Sequence, residues 1–434
     1  MNKPGRENRM LLPGRRCGSV RIPSSKSAAH RILICAALGS RPVAVRLNGL
    51  SQDILATANC LRALGAGVEQ SDRELRIQPL DRSPDLREVL LPAGESGSTL
   101  RFLLPLIGAL GRKAVFQMEG RLSRRPLAPL DAVLREHGMS IEQDGDRLLC
   151  SGQLQSGDYA LAGNVSSQYF SGLLMALPLL EGSSTLSASG KLESAGYVRM
   201  TEQVLESSGI TVERQPELCW IIPGGQRPQL PETVPVEGDW SNAAFFLCMG
   251  ALSERGVRVD GLRHDSAHGD RAVLSLLQDF GAITAIGSGE ESSGGYDSVT
   301  VCRGDFRPMR IDASDVPDLI PALAVLCCAA EGRSEITNAS RLRLKESDRL
   351  QTTAELIRSL GGEVLEHPDG LTVCGTGKLK GGTADAHNDH RIAMSAALAA
   401  CLCGEPVELI DAGCVRKSYP AFWTDYESLE RSTK

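Results

Sequence analysis

Ile357-Arg-Ser-Leu-Gly361-Gly-Glu-Val-Leu-Glu-His-Pro-Asp-Gly-Leu-Thr-Val-Cys374 reads as a helix end, a strand, a tight turn and a second strand. Gly361 suits the position just past a helix, where positive φ is needed, and the alternation after it suits a half-buried strand. Pro-Asp-Gly supplies the turn. The same helix-glycine-strand signal recurs at Leu61-Arg-Ala-Leu-Gly65 with Val68, Leu134-Arg-Glu-His-Gly138 with Ile141, and Leu205-Glu-Ser-Ser-Gly209 with Val212. A fifth copy is Leu277-Gln-Asp-Phe-Gly281 with Ile283. Second strands such as Arg147-Leu-Leu-Cys150 follow several of them. The glycines lie roughly 70 to 80 residues apart, too far for a solenoid repeat and about right for a β-α-β-α-β-β unit.

A second regularity is the start of each apolar helix. Ser24-Ser-Lys-Ser27 precedes Ile32 to Leu38, Ser96-Gly-Ser-Thr99 precedes Leu100 to Leu110, and Ser166-Ser-Gln168 precedes Tyr169 to Leu180. Glu237-Gly-Asp239, Pro317-Asp318 and Asn388-Asp-His-Arg391 stand before three more. Ordinary N-capping accounts for the Ser, Asp and Asn. It does not ask for cations, yet Lys26, Arg31, Arg101 and Arg391 sit in or near first turns, where the helix dipole disfavours them. Free amides with cations beside them make anion sites.

Composition narrows the class. The chain has 434 residues, 42% hydrophobic and 23% charged, enough for two globular domains with separate cores. A net charge of −6 gives nucleic acid no global attraction, so anionic ligands must be held by local positive charge. Thirteen cysteines without a disulfide framework or metal-ligand spacing predict reduced thiols in the cytoplasm. No signal peptide or membrane span is legible. Gly375-Thr-Gly-Lys378 lacks the spacing and the Ser or Thr of a nucleotide-binding loop, so neither a metal nor an organic cofactor is expected.

Taken in order, these segments resemble the EPSP synthase family of enolpyruvyl transferases from about Pro23 to Pro420. The resemblance rests on Pro23-Ser-Ser-Lys-Ser-Ala-Ala-His-Arg31, Glu95-Ser-Gly-Ser-Thr-Leu-Arg101, Arg125-Pro-Leu-Ala-Pro-Leu130 and Ser166-Ser-Gln168. Val236-Glu-Gly-Asp239, Leu344-Lys-Glu-Ser-Asp-Arg349, Asn388-Asp-His-Arg-Ile-Ala-Met394 and Arg416-Lys-Ser-Tyr-Pro420 complete it. It implies an α/β fold of two globular domains, each of three β-α-β-α-β-β repeats, with the active site in the interdomain cleft. Residues 24–236 would form the first domain. Residues 1–23 and 237–434 would form the second, with Met10 to Ile22 as an N-terminal strand.

The implied activity transfers the enolpyruvyl group of phosphoenolpyruvate to the 5-hydroxyl of shikimate 3-phosphate, on the route to chorismate and the aromatic amino acids. For shikimate 3-phosphate the resemblance implies Lys26, Ser27, Arg31, Ser166, Ser167, Gln168, Ser194, Tyr197, Asp318, Arg341 and Lys345. For phosphoenolpyruvate it implies Lys26, Gly97, Arg125, Gln168, Arg349, Arg391 and Lys417. Asp318 is implied as base, Glu346 as proton donor, and Lys26 as a stabiliser of developing charge or a proton-transfer aid. Lys345 and Arg349 beside Glu346 would weaken it as an acid. His390 reads equally as a packed or a site residue, and Asp348 as the orienting group of a helix start. We expect a monomer that engages small substrates only, neither nucleic acid nor membrane, and that glyphosate targets.

Three positions depart from the family pattern. Glu95 stands where many members carry Asn, Phe102 where many carry Pro, and Arg341 where many carry an Asn that contacts the shikimate phosphate. Two rival readings remain. A UDP-N-acetylglucosamine enolpyruvyl transferase typically has a reactive Cys or Asp in a loop ahead of its arginine site, whereas no Cys lies between Cys60 and Cys150 and Gly111 to Ser123 reads as a strand and short connector. A non-catalytic anion-binding scaffold would have lost the carboxylates Asp318 and Glu346, and both are present.

Overall fold

The computed structural model describes residues 7–81, 87–288 and 296–432. The chain divides into two compact units, one of Ser24–Val236 and one of Met1–Pro23 with Glu237–Lys434. The first carries helices α1 (Lys26–Leu38), α2 (Gln52–Ala63), α3 (Gly97–Ala109), α4 (Leu130–Glu136), α5 (Ser167–Ala176) and α6 (Ala195–Ser207). The second carries α7 (Trp240–Ala251), α8 (Val273–Phe280), α9 (Ile320–Cys327), α10 (Arg349–Ser359), α11 (His390–Ala400) and α12 (Phe422–Ser428).

Five of the six sheets among the described residues repeat one wiring. Glu88–Gly94 runs parallel to Lys113–Met118, which pairs antiparallel with Arg147–Gly152, itself paired with Met139–Asp144. Asp158–Ala162, Ser184–Ser189, Cys219–Ile222 and Glu213–Gln215 repeat that order, as do Arg310–Asp312, Gly332–Thr337, Gly370–Gly375 and Glu363–His367. The sheet of Val43–Arg46, Glu74–Gln78 and Gly67–Gln70 takes its parallel edge strand from Thr233–Pro235, at the far end of the same unit. In the second unit Arg15–Arg21, Val257–Leu262, Asp297–Cys302 and Ile283–Gly287 follow suit, with Glu430–Ser432 added on the outer edge.

The last sheet is abbreviated. Gly382–Asp385 lies parallel to Val407–Ile410, and the place of a returning hairpin strand is taken by Arg9–Leu11. Among the described residues no hairpin closes there, so no helix-glycine-strand marker occurs, and only five copies are legible in the sequence. The expectation of one N-terminal strand from Met10 to Ile22 is corrected. Pro13 and Gly14, the latter at φ 131°, break it into Arg9–Leu11 and Arg15–Arg21, which join different sheets.

The helices α1, α3, α5, α7, α9 and α11, each leading into the second strand of its sheet, are apolar almost all round. Every residue of α7, α9 and α11 is buried, and these three helices pack against one another. Such helices leave polar groups room chiefly at their ends. The five marker glycines all have positive φ, between 73° and 103°, as their place past a helix end requires. At Gly281 a methyl group would also collide with the backbone carbonyl of Asp305, whereas at Gly209 nothing stands in its way. Gly209→Ala is therefore expected to cost about 1 kcal/mol from backbone strain alone, and Gly281→Ala at least about twice that, in denaturant unfolding. Equal midpoints for the two variants would contradict the steric argument.

Candidate active site

In the first unit the polar residues gather at helix starts. Ser25 caps α1 by accepting from the Ala28 amide, and Lys26, the first helical residue, places Nζ 2.9 Å from Asp53 Oδ2. Asp53 stands in the first turn of α2, so its charge offsets a cation that the α1 dipole repels. Sequence reasoning missed Asp53, because an acid in a first turn is what any helix favours.

Arg31 is fully buried. Its Nε donates to Thr201 Oγ1 at 2.7 Å, Nη1 to the Ser27 carbonyl at 2.6 Å, and Nη2 to Ser171 Oγ at 3.0 Å and the Tyr197 carbonyl at 2.9 Å. Of the five guanidinium N–H groups, one on Nη1 remains for a ligand. Arg31 therefore also ties α1 to α5 and α6. Burial lowers its pKa to about 10, against the opposing pull of Tyr197 and Cys35, so it stays charged at neutral pH. Phe102 supplies an aromatic face 4.8 Å from its guanidinium carbon, which gives that departure a physical role.

Ser96 caps α3, and Gly97 opens it. A side chain at Gly97 would sit 2.7 Å from Nη1 of both Arg101 and Arg125, so the two guanidinium groups rest against its bare backbone. Arg101 donates to the Gly97 and Pro126 carbonyls, while Arg125 is half-buried. The Glu95 carboxylate lies over Gly120. Ser166 caps α5 ahead of the buried Ser167, and Gln168 Nε2 donates to Ser98 Oγ at 3.0 Å, linking the starts of α5 and α3. Ser194, with φ 55°, precedes α6, and the Tyr197 amide bonds its carbonyl at 3.1 Å.

The second unit carries a denser cluster. Arg349 opens α10 and is only 1% exposed. Its Nη1 meets Asp318 Oδ1 at 2.8 Å, its Nη2 meets Glu346 Oε2 at 2.6 Å, and its Nε meets Asp389 Oδ2 at 2.8 Å. Asp318, just before α9, also receives Arg391 Nη2 at 2.9 Å and Lys345 Nζ at 3.5 Å. Burial pushes Asp318 up, but Arg391, Lys345 and Arg349 outweigh it and hold the carboxyl well below the usual range. Three implied ligand cations thus converge on the implied base. Burial, only partly opposed by Asp318, brings the Lys345 ammonium down to about 8.

Asp389, missed by sequence reasoning, is the N-cap of α11 and fully buried. It accepts from the Arg391 amide at 3.0 Å and Ser347 Oγ at 2.9 Å in addition to Arg349. Lys417 Nζ donates to the Asn388 carbonyl at 2.6 Å, and Arg341 Nη2 to the Ser314 carbonyl at 2.7 Å. Asp348 caps α10 by accepting from the Gln351 amide, as expected of an orienting residue. His390 is buried in the first turn of α11. All thirteen cysteines are free thiols, and among the described residues no helix is long and apolar enough to cross a membrane.

The model of the EPSP synthase (3-phosphoshikimate 1-carboxyvinyltransferase) family matches residues 13–426. The chain belongs to that family. It is 39% identical over 414 residues to the 3-phosphoshikimate 1-carboxyvinyltransferase of Clostridium kluyveri, covering 95% of each chain. It is 37% identical over 422 residues to that of Clostridium perfringens, covering 97% of each. Among solved structures, EPSP synthase from Acinetobacter baumannii superposes with a TM-score of 0.79 at 25% identity, over 98% of this chain and all of that one. The enolpyruvyl transferase NikO from Streptomyces tendae shares the fold, with a TM-score of 0.75 at 20% identity over 99% and 98% of the two chains.

Membership in the family does not by itself assign charges, but the Asp318 cluster makes a measurable claim. Dimethyl-lysine carbon NMR is expected to show Lys345 titrating near 8, against 10.5 for an ordinary lysine. The folded value lies below the unfolded one, so burying the charge costs stability below about 8 and that cost is relieved as pH rises toward 10.5. Asp318→Asn should move the midpoint lower still, because Asp318 favours the charged form. A midpoint near 10.5 would contradict the arrangement.

Proposed function

We propose that this chain transfers the enolpyruvyl group of phosphoenolpyruvate to the 5-hydroxyl of shikimate 3-phosphate, releasing phosphate. Support comes from family membership and from near full-length relatives that bear the name of this activity. The observation that carries the residue assignment is the convergence of Lys345, Arg349 and Arg391 on Asp318.

Both substrates bring a phosphate and a carboxylate. Shikimate 3-phosphate is assigned Lys26, Ser27, the remaining Arg31 N–H, Ser166, Ser167, Gln168, Ser194, Tyr197, Asp318, Arg341 and Lys345. Phosphoenolpyruvate is assigned Lys26, Gly97, Arg125, Gln168, Arg349, Arg391 and Lys417. Arginines meet such anions through paired parallel hydrogen bonds. Substrate oxygens compete with Asp318 for its cations, and as those contacts weaken its proton affinity rises toward that of a useful base.

Asp318 then takes the 5-hydroxyl proton while that oxygen bonds to C2 of phosphoenolpyruvate, and Glu346 delivers a proton to C3. The tetrahedral adduct loses phosphate and a C3 proton to give the enol ether, with acid and base reversed. Lys26 stabilises the developing charge. The two units are read as the two domains, 24–236 and 1–23 with 237–434. Free thiols support a cytoplasmic protein, and we read it as a monomer.

Phosphate release from phosphoenolpyruvate with shikimate 3-phosphate as acceptor tests this directly. Lys26→Met is expected to lower turnover by roughly a hundredfold or more with the thermal midpoint falling only a few degrees, since a single ion pair is lost. Asp318→Asn is expected to retain shikimate 3-phosphate binding by calorimetry while losing turnover on the same roughly hundredfold scale. Turnover with UDP-N-acetylglucosamine instead would overturn the acceptor.

Glyphosate is assigned to the phosphoenolpyruvate site and should inhibit competitively against that substrate. A methyl at Gly97 would meet the Arg101 and Arg125 tips and is expected to intrude on the longer ligand first. Gly97→Ala is expected to raise the inhibition constant more than the KM for phosphoenolpyruvate. Unchanged inhibition would place the inhibitor elsewhere.

A further inference from the structure

Beneath the start of α3 lies a chain of four buried polar side chains drawn from three helices and a cap. His30 Nδ1 is 2.7 Å from Thr57 Oγ1, Thr57 Oγ1 is 2.7 Å from Thr99 Oγ1, and Thr99 Oγ1 is 2.7 Å from Ser96 Oγ. Counting protons fixes its direction. Thr99 has one hydroxyl proton and donates it to Ser96, so at its contact with Thr57 it can only accept. Thr57 therefore donates to Thr99 and must accept from His30. The imidazole thus carries its proton on Nδ1.

Two further observations agree. His30 Nε2 is buried without a hydrogen-bond partner, tolerable for a bare lone pair and costly for an N–H. Burial, with Lys26 and Arg31 nearby, holds the His30 pKa well below 6.5, so a second proton is excluded. Phe102 lies perpendicular to the imidazole at 6.2 Å between ring centroids, and both rings are buried.

The chain ends on the N-cap of α3. Ser96 Oγ also accepts from the Thr99 amide at 3.3 Å, and Gly97 follows with Arg101 and Arg125 against it. Thr57, on α2, is the link between α1 and that cap. We propose that Thr57 is a positioning residue, holding the Ser96–Gly97 helix start, and through it Arg101 and Arg125, in register for the phosphoenolpyruvate anion. The proposal rests on the assignment of Gly97 and Arg125 to phosphoenolpyruvate. Without the Thr57 hydroxyl, Thr99 loses its donor and its own hydroxyl is free to turn from Ser96.

Steady-state kinetics of Thr57→Val, which keeps the side-chain shape, tests it. The KM for phosphoenolpyruvate is expected to rise about tenfold, on the scale of one buried hydrogen bond. The KM for shikimate 3-phosphate and kcat are expected to stay within about twofold, and Thr57→Ser to restore the wild-type value. An unchanged KM for phosphoenolpyruvate, or equal changes for both substrates, would overturn the proposal. Nitrogen NMR of histidine-labelled wild-type protein needs no variant. His30 is expected as the Nδ1–H tautomer, unchanged from about pH 5 to about pH 8, and an Nε2–H tautomer or a midpoint near 6.5 would overturn the relay. Should the wild type release no phosphate with shikimate 3-phosphate, the functional reading fails while the tautomer still judges the relay.

Discussion

A cation at the first turn of a helix faces the positive end of the backbone dipole and a set of free amides. It persists in a fold only where neighbouring groups take up its charge. Lys26 has Asp53, Arg349 has Asp318, Glu346 and Asp389, and Arg391 has Asp318. Arg31 and Arg101 rely on carbonyls, and Arg31 on hydroxyls as well. The sheets serve this arrangement. Each β-α-β crossover delivers an apolar helix whose length is committed to the core, so its chemistry is confined to its start.

Much of this was legible because it breaks local rules. Lys26 and Arg391 stood out since capping does not want cations, and the five glycines stood out since a helix end needs positive φ. The sixth repeat was illegible for a matching reason, because its returning strand comes from Arg9–Leu11, some four hundred residues earlier in the chain. The N-terminal segment reads as one strand because hydrophobic alternation does not register a change of sheet, and only Pro13-Gly14 marks it. Asp53 and Asp389 obey the rules they exploit. An acid at a cap or in a first turn needs no special reason, so nothing local separates a counter-charge from a cap. Arg31 shows a third limit: the motif marks it as a ligand residue, whereas three of its five N–H groups tie α1 to α5 and α6 and a fourth bonds the Ser27 carbonyl within α1.

Of the three carboxylates around Arg349, Asp389 and Asp318 differ in a way that bears on their roles. Asp389 is fully buried and fixed by Ser347, the Arg349 side chain and the Arg391 amide. Removing it would take from Arg349 its fully buried counter-charge and leave the Ser347 hydroxyl and the Arg391 amide without this acceptor. Asp318 shares the same arginine but keeps 21% of its side chain exposed. It is also held by Lys345 and Arg391, cations that are assigned to the substrates. Asp389 bonds Arg349 independently of Asp318, so in the proposed reaction Asp318 can exchange its partners without stripping the arginine of its buried counter-charge. In the proposed reaction, Asp389 fixes the arginine and Asp318 is a carboxylate whose proton affinity changes, because Asp318, unlike Asp389, combines solvent access with cations that a phosphate can draw away.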